Sequence, residues 1–99
     1  MSALFLRDRY MRAIVSVVGK DRMGIIAKVS GLLFSIDINV MDLSQSVMND
    51  YFHMIMLVDL SKCSRKFEEI SAALDTLGAE IGMSIKIQHE DIFNAMHKI

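Results

Sequence analysis

Ninety-nine residues make one domain with one core, and a chain that small is only modestly stable unless it associates. Hydrophobic residues reach 53%, more than a small sphere hides easily, so contact with a further copy or a partner protein is expected. Eleven basic residues against twelve acidic ones leave a net charge of −1, which argues against nucleic acid and anionic membrane as partners.

Residues 1–11 form a leader with an apolar patch at 3–6 and Arg7 and Arg9 beyond it. The patch is too short for a signal peptide, and charges interrupt every stretch before the ~18–20 residues that a membrane span needs. The leader is set apart from the core, either as a mobile or late-packing segment or as a misassigned start with Met11 the true one. Residues 12–99 make the single domain.

Residues 12–18, RAIVSVV, read as a buried strand rich in β-branched side chains. Gly19 to Gly24 breaks it with turn chemistry. Ile25, Ile26, Val29, Leu32, Leu33 and Ile36 then fall on one helical stripe. Gly31, in the middle of that helix, is expected to pack closely against the sheet. A second strand spans 38–48, with Ile38 and Val40 on one side and Asn39 and Met41 on the other. Asn49-Asp50 fits a type I′ hairpin turn, since both residues tolerate positive φ. The run 51–60, YFHMIMLVDL, is the most strand-like of all.

Next come a loop at 61–64, with Ser64 as helix N-cap, and an amphipathic helix marked by Phe67, Ile70, Leu74 and Leu77 and closed by Gly78. A last strand at 81–88 alternates Met83, Ile85 and Ile87 with Ser84, Lys86 and Gln88. Ile92, Phe93, Met96 and Ile99 mark a short third helix at about 90–98. The order predicts an α+β, ferredoxin-like βαββαβ sandwich with an extra C-terminal helix. Its four-stranded antiparallel sheet has order 2-3-1-4, with helices on one face.

Chemistry concentrates in the first strand-to-helix turn. A helix beginning near Gly24 offers unpaired backbone N–H groups and the positive end of its dipole, which suit carboxylate or phosphate. Gly24 lets a ligand come close to the backbone, and Asp21 can accept from a ligand ammonium. Amide donors beside a carboxylate match the two charged ends of an amino acid. The plainer alternative is that Asp21 merely caps the helix and the loop is empty. His53, His89 and His97 lack metal-ligand spacing, so no metal or other cofactor is expected. Nine methionines suit adaptable packing. Cys63 is a lone cysteine, which fits a reducing cytoplasm better than a redox role.

The stretch VGKDRMGIIAKVSGLLFSIDINVMDLSQ resembles the ACT domain, a ligand-sensing regulatory module of amino-acid metabolism, and most of all its small, freestanding bacterial members. The resemblance rests on Asp21-Arg22-Met23-Gly24-Ile25-Ile26 and Ile38-Asn39-Val40 and covers about residues 12–88. It implies side-by-side homodimers or higher oligomers that bind small effectors, most often amino acids, where subunits meet. It assigns ligand contact to Asp21, Arg22, Met23, Gly24 and Ile25 of the loop, and to Asn39. Gly19 stands where serine-binding relatives have a histidine, and Met23 replaces a frequent proline. A non-catalytic amino-acid sensor is therefore expected. The alternatives are a ligand-free interaction module serving an enzyme or transcription regulator and, more remotely, an acylphosphatase-like hydrolase using Arg22 and Asn39.

Overall fold

The computed structural model describes residues 11–96. In chain order they form β1 (Arg12–Lys20), α1 (Ile25–Ser35), β2 (Asn39–Met48), β3 (Tyr51–Asp59), α2 (Phe67–Ile81), β4 (Met83–His89) and α3 (Glu90–Met96). The sheet order is β2-β3-β1-β4, and every pairing is antiparallel. The ferredoxin-like expectation holds, C-terminal helix included. What was expected of residues 1–10 and 97–99 lies outside the described residues. Met11 is described, and its carbonyl accepts from Leu60 N–H at 2.7 Å.

The core follows the strand period. Ala13, Val15 and Val17 of β1 face the same side as Phe52, Met54, Met56 and Val58 of β3 and Met83, Ile85 and Ile87 of β4, all buried. Ile25, Val29 and Leu33 of α1 and Ile70, Leu74 and Ile81 of α2 close over them. At the hairpin, Asn49 and Asp50 have φ of 48° and 71°, as a type I′ turn needs.

Several boundaries move. α2 starts at Phe67 with Lys66 at its N-cap, not Ser64, and Glu69 Oε1 accepts from Lys66 N–H at 3.0 Å. That is the back half of a capping box. Gly78 does not end α2. It is buried inside the helix, where a Cβ would stand 2.5 Å from Met83 O, so it allows β4 to cross close by. The helix runs on to Ile81, which therefore leaves the last strand, and Gly82 caps it with φ 71°. α1 stops at Ser35 rather than Ile36, and Asp37, at φ 63°, turns the chain into β2. Gly31 does not pack on the sheet: it is exposed, and a Cβ there would meet nothing within 4 Å among the described residues. Ile26 is 37% exposed, so the buried stripe of α1 is narrower than its sequence suggests.

β2 begins at Asn39 and carries a bulge between Val40 and Asp42, so Met41 is the extra residue. The bulge resets the alternation: Gln45 stands opposite Met54, and Val47 opposite Phe52, both of which face the helices. On the other side of the sheet, α3 rests against β1 and β4. Its Phe93 and Met96 share a groove with Val18, Ile55 and Gln88. Arg12 Nη2 donates to Glu90 Oε2 at 2.8 Å, and His89 stacks on Phe67 with ring centroids 4.3 Å apart.

Candidate functional site

The loop after β1 is pinned from two sides. Asp21 N–H donates to Asp50 O at 2.7 Å, which fastens it to the β2–β3 turn. Arg22 Nη1 donates to Ile81 O at 2.9 Å, which fastens it to the last turn of α2. Between these anchors Gly24 takes φ 85° as the N-cap of α1. A side chain in that left-handed region costs roughly 1–2 kcal/mol, so glycine has a backbone reason to be there besides leaving room for a ligand. Lys28 N–H donates to Gly24 O at 3.0 Å as the first helical bond.

No side chain caps α1, and its first turn holds no acidic residue. The reading of Asp21 as a helix cap therefore fails: the chain reverses at Gly24, and the cap position is a residue without a side chain. The N–H groups of the first turn have no carbonyl partner inside the helix.

These groups border an open groove of about 460 Å³ between the start of α1 and the second half of β2. Asp21, Arg22, Gly24 and Ile25 line it on one side, and Gln45, Ser46, Val47 and Phe52 on the other. The loop supplies charge and amide donors, whereas Ile25, Val47 and Phe52 give the floor an apolar strip. Met23 is 95% exposed and does not line the groove.

Asn39 is elsewhere. It pairs with Asp59, while Met48 at the other end of β2 pairs with Tyr51. Eight strand steps, about 26 Å, separate it from the loop within one chain. There it lines a second groove of about 410 Å³ with Phe34, Asp37, Asp59 and Lys62. One chain thus lines the first groove with four of the six expected site residues, leaves Met23 exposed in the same loop, and puts Asn39 at the other end of β2.

Gln45, Ser46, Val47 and Phe52 were not among the residues expected from sequence. The available signal was a glutamine inside an otherwise apolar alternation, but the bulge at Met41 hides which face it takes. The missing histidine at position 19 also has a local explanation. A Cβ on Gly19 would lie 2.5 Å from Met83 Sδ and 3.0 Å from Gly82 O, so the start of β4 fills that space. Among the described residues no three His, Cys, Asp or Glu side chains gather as metal ligands, and no helix is long and apolar enough to cross a membrane.

A family model described as "ACT domain" matches residues 12–88. A UPF0237 protein of Clostridium acetobutylicum is 49% identical over 89 residues, which is 90% of this chain and 100% of that protein. Among solved structures, an ACT domain protein from Streptococcus pneumoniae superposes with a TM-score of 0.75 at 38% identity, over 88% of this chain and 98% of that one. The regulatory subunit of aspartate kinase from Thermus thermophilus, in ligand-free form, gives a TM-score of 0.63 at 26% identity, over 82% of this chain and 52% of that one.

Proposed function

Because the chain belongs to the ACT domain family, whose members are typically regulatory and ligand-binding, we propose that it senses a small metabolite, an amino acid by the chemistry of its loop, as a non-catalytic dimer. The observation that carries this reading is the uncapped start of α1 beside Asp21, open to a groove with an apolar floor. The amides receive a carboxylate, Asp21 receives an ammonium, and Ile25, Val47 and Phe52 accommodate the side chain. The similarity to a regulatory subunit of aspartate kinase from Thermus thermophilus supports the regulatory half of the proposal.

The dimer supplies what one chain lacks. β2 is one of the two edge strands and has no buried residue along its length. Antiparallel pairing of two such edges sets the start of one β2 beside the end of the other. Asn39 of one protomer then meets the loop of its partner. The same two-fold places two α1 helices side by side, where Phe34, 81% exposed, and the open position at Gly31 find a neighbour. It also brings Asp37, after one α1, towards Lys28 at the start of the other, and it opposes the two helix dipoles.

Two or three charge-assisted hydrogen bonds at roughly 1.5–3 kcal/mol each, less association entropy, support micromolar to millimolar affinity. A ligand that spans both subunits favours one relative orientation, which is sufficient for regulation. The test is a thermal-shift screen of the twenty amino acids, followed by calorimetry on Asp21→Ala and Asn39→Ala. Binding only to the native state must raise the melting temperature. Both variants are expected to remain folded dimers and to lose binding. Unchanged affinity in both overturns the site. A flat screen favours the ligand-free interaction module.

A further inference from the structure

The loop's two anchors differ in kind. Asp21 is held through its backbone, but Arg22 spends its side chain on a carbonyl belonging to another element. Ile81 O lies among the final carbonyls of α2, which have no helical N–H to accept from. α2 has Glu68 and Glu69 in its first turn and no basic residue in its last, so Arg22 supplies from outside the cation that this end of the dipole favours.

The contact falls on a one-residue joint between α2 and β4. Gly82 reverses the backbone at φ 71°, its N–H returns to Gly78 O, and β4 starts at the next residue. A Cβ on Gly82 would stand 3.9 Å from Arg22 Nη1, so the guanidinium lies directly over the turn.

We infer that Arg22 is a positioning residue, which holds the Gly24 turn in place through Ile81 O and links the state of the loop to the α2–β4 joint. Its second half rests on the proposed effector site, but the link itself does not require a ligand. Whatever tightens the loop restrains the arginine and thereby the last turn of α2. By reciprocity, whatever loosens that turn frees the loop. Occupancy at the β2 edge then has a route to the opposite, β4 edge of the sheet.

Native-state hydrogen exchange read by NMR tests this on the ligand-free protein. Lys28 N–H reports the loop side and Gly82 N–H the α2 side. In Arg22→Met both are expected to exchange roughly 3- to 10-fold faster, the scale of one partly exposed charged hydrogen bond. Val15 and Val17 in central β1 keep their rates, which a general loss of stability would not allow. Arg22→Lys, still a cation able to reach the carbonyl, restores most of the protection and serves as the folded variant if the methionine form does not fold. Faster exchange on one side only, no change on either, or no rescue by lysine overturns the link.

A second arm adds the twenty L-amino acids together at about 1 mM each, the weak end of the expected affinity range. Wild type is expected to gain protection at both amides and Arg22→Met at Lys28 alone. Equal gains at Gly82 in both proteins overturn the link, whereas no gain anywhere in wild type counts against the effector site and leaves the ligand-free result to decide the link.

Discussion

At one edge of the sheet, β4 places Met83, Ile85 and Ile87 in the same buried cluster as Ile70, Leu74 and Ile81 of α2, and Gly78 lets helix and strand almost touch. At the other edge, β2 buries nothing completely, and above it α1 exposes Ile26, Phe34 and the bare Gly31. Both edges belong to one small fold, yet only the first is packed as an interior. The second has the composition of a face awaiting cover, and it carries both grooves that hold the expected site residues. In this chain tight packing is concentrated on the α2–β4 side, and the proposed recognition site lies on the α1–β2 side.

The largest contrast should come from large-to-small substitutions. Leu74→Ala, at a fully buried position, is expected to lower stability by about 2–5 kcal/mol in urea unfolding. Val47→Ala, at a position 57% exposed, should cost no more than about 0.5 kcal/mol at concentrations where the protein is monomeric. Similar costs would mean that the two edges are packed alike and would remove the basis of the comparison.

The two mid-helix glycines sharpen it. Gly78→Ala forces a Cβ against Met83 O and should destabilise by about 1–3 kcal/mol despite the better helix propensity of alanine. Gly31→Ala meets nothing within 4 Å among the described residues and should stabilise the monomer by up to about 1 kcal/mol. Opposite signs in thermal unfolding are the expected result. Gly31→Arg extends the same logic between chains. If α1 meets α1 across a two-fold, sedimentation should show dissociation of the arginine variant with its monomer fold intact, and an unchanged sedimentation coefficient would place the interface elsewhere.

The parts legible in the sequence are those set by local chemistry and by period. β1 and β4 alternate as their side chains dictate, and Asn49-Asp50 takes the two positive φ values of its turn. The misreadings share one cause: a local signal was given the commonest local meaning. Gly78 reads as a helix end, but the helix continues because β4 needs its missing Cβ. Ser64 reads as a cap, but Glu69 provides the cap hydrogen bond two residues further on, at Lys66. Gly31 reads as close packing on the sheet and instead faces outwards. The site is legible only in part for the same reason. Asp21 to Ile25 is one contiguous motif, whereas Gln45 and Val47 reach the groove only through a bulge that leaves no mark in the pattern, and Asn39 is placed by the register of β2 against β3.

The smallest effects concern the ion pairs on β4 and α3. Lys86 Nζ and Asp75 Oδ1 are 3.2 Å apart with side chains 67% and 54% exposed, so solvent screens them, and Asp75→Asn should change stability by no more than about 0.5 kcal/mol. Arg12 and Glu90 are closer, at 2.8 Å, and Glu90 is only 17% exposed. Among the described residues, Arg12 Nε and His89 Nδ1 are buried nearby without a partner, so the bond from Arg12 Nη2 to Glu90 is the one that this corner of the fold does make through the guanidinium. Glu90→Gln should therefore cost more than Asp75→Asn, about 1 kcal/mol, because a neutral amide replaces the carboxylate facing a half-buried guanidinium. The loss should be local: faster amide exchange through α3, with β1 and β4 unchanged, since α3 has no buried residue of its own and Glu90 ties its first turn to Arg12. Equal costs for the two variants would show that α3 is held instead by Phe93 and Met96 against the sheet, and Met96→Ala would then produce the local loosening that Glu90→Gln did not.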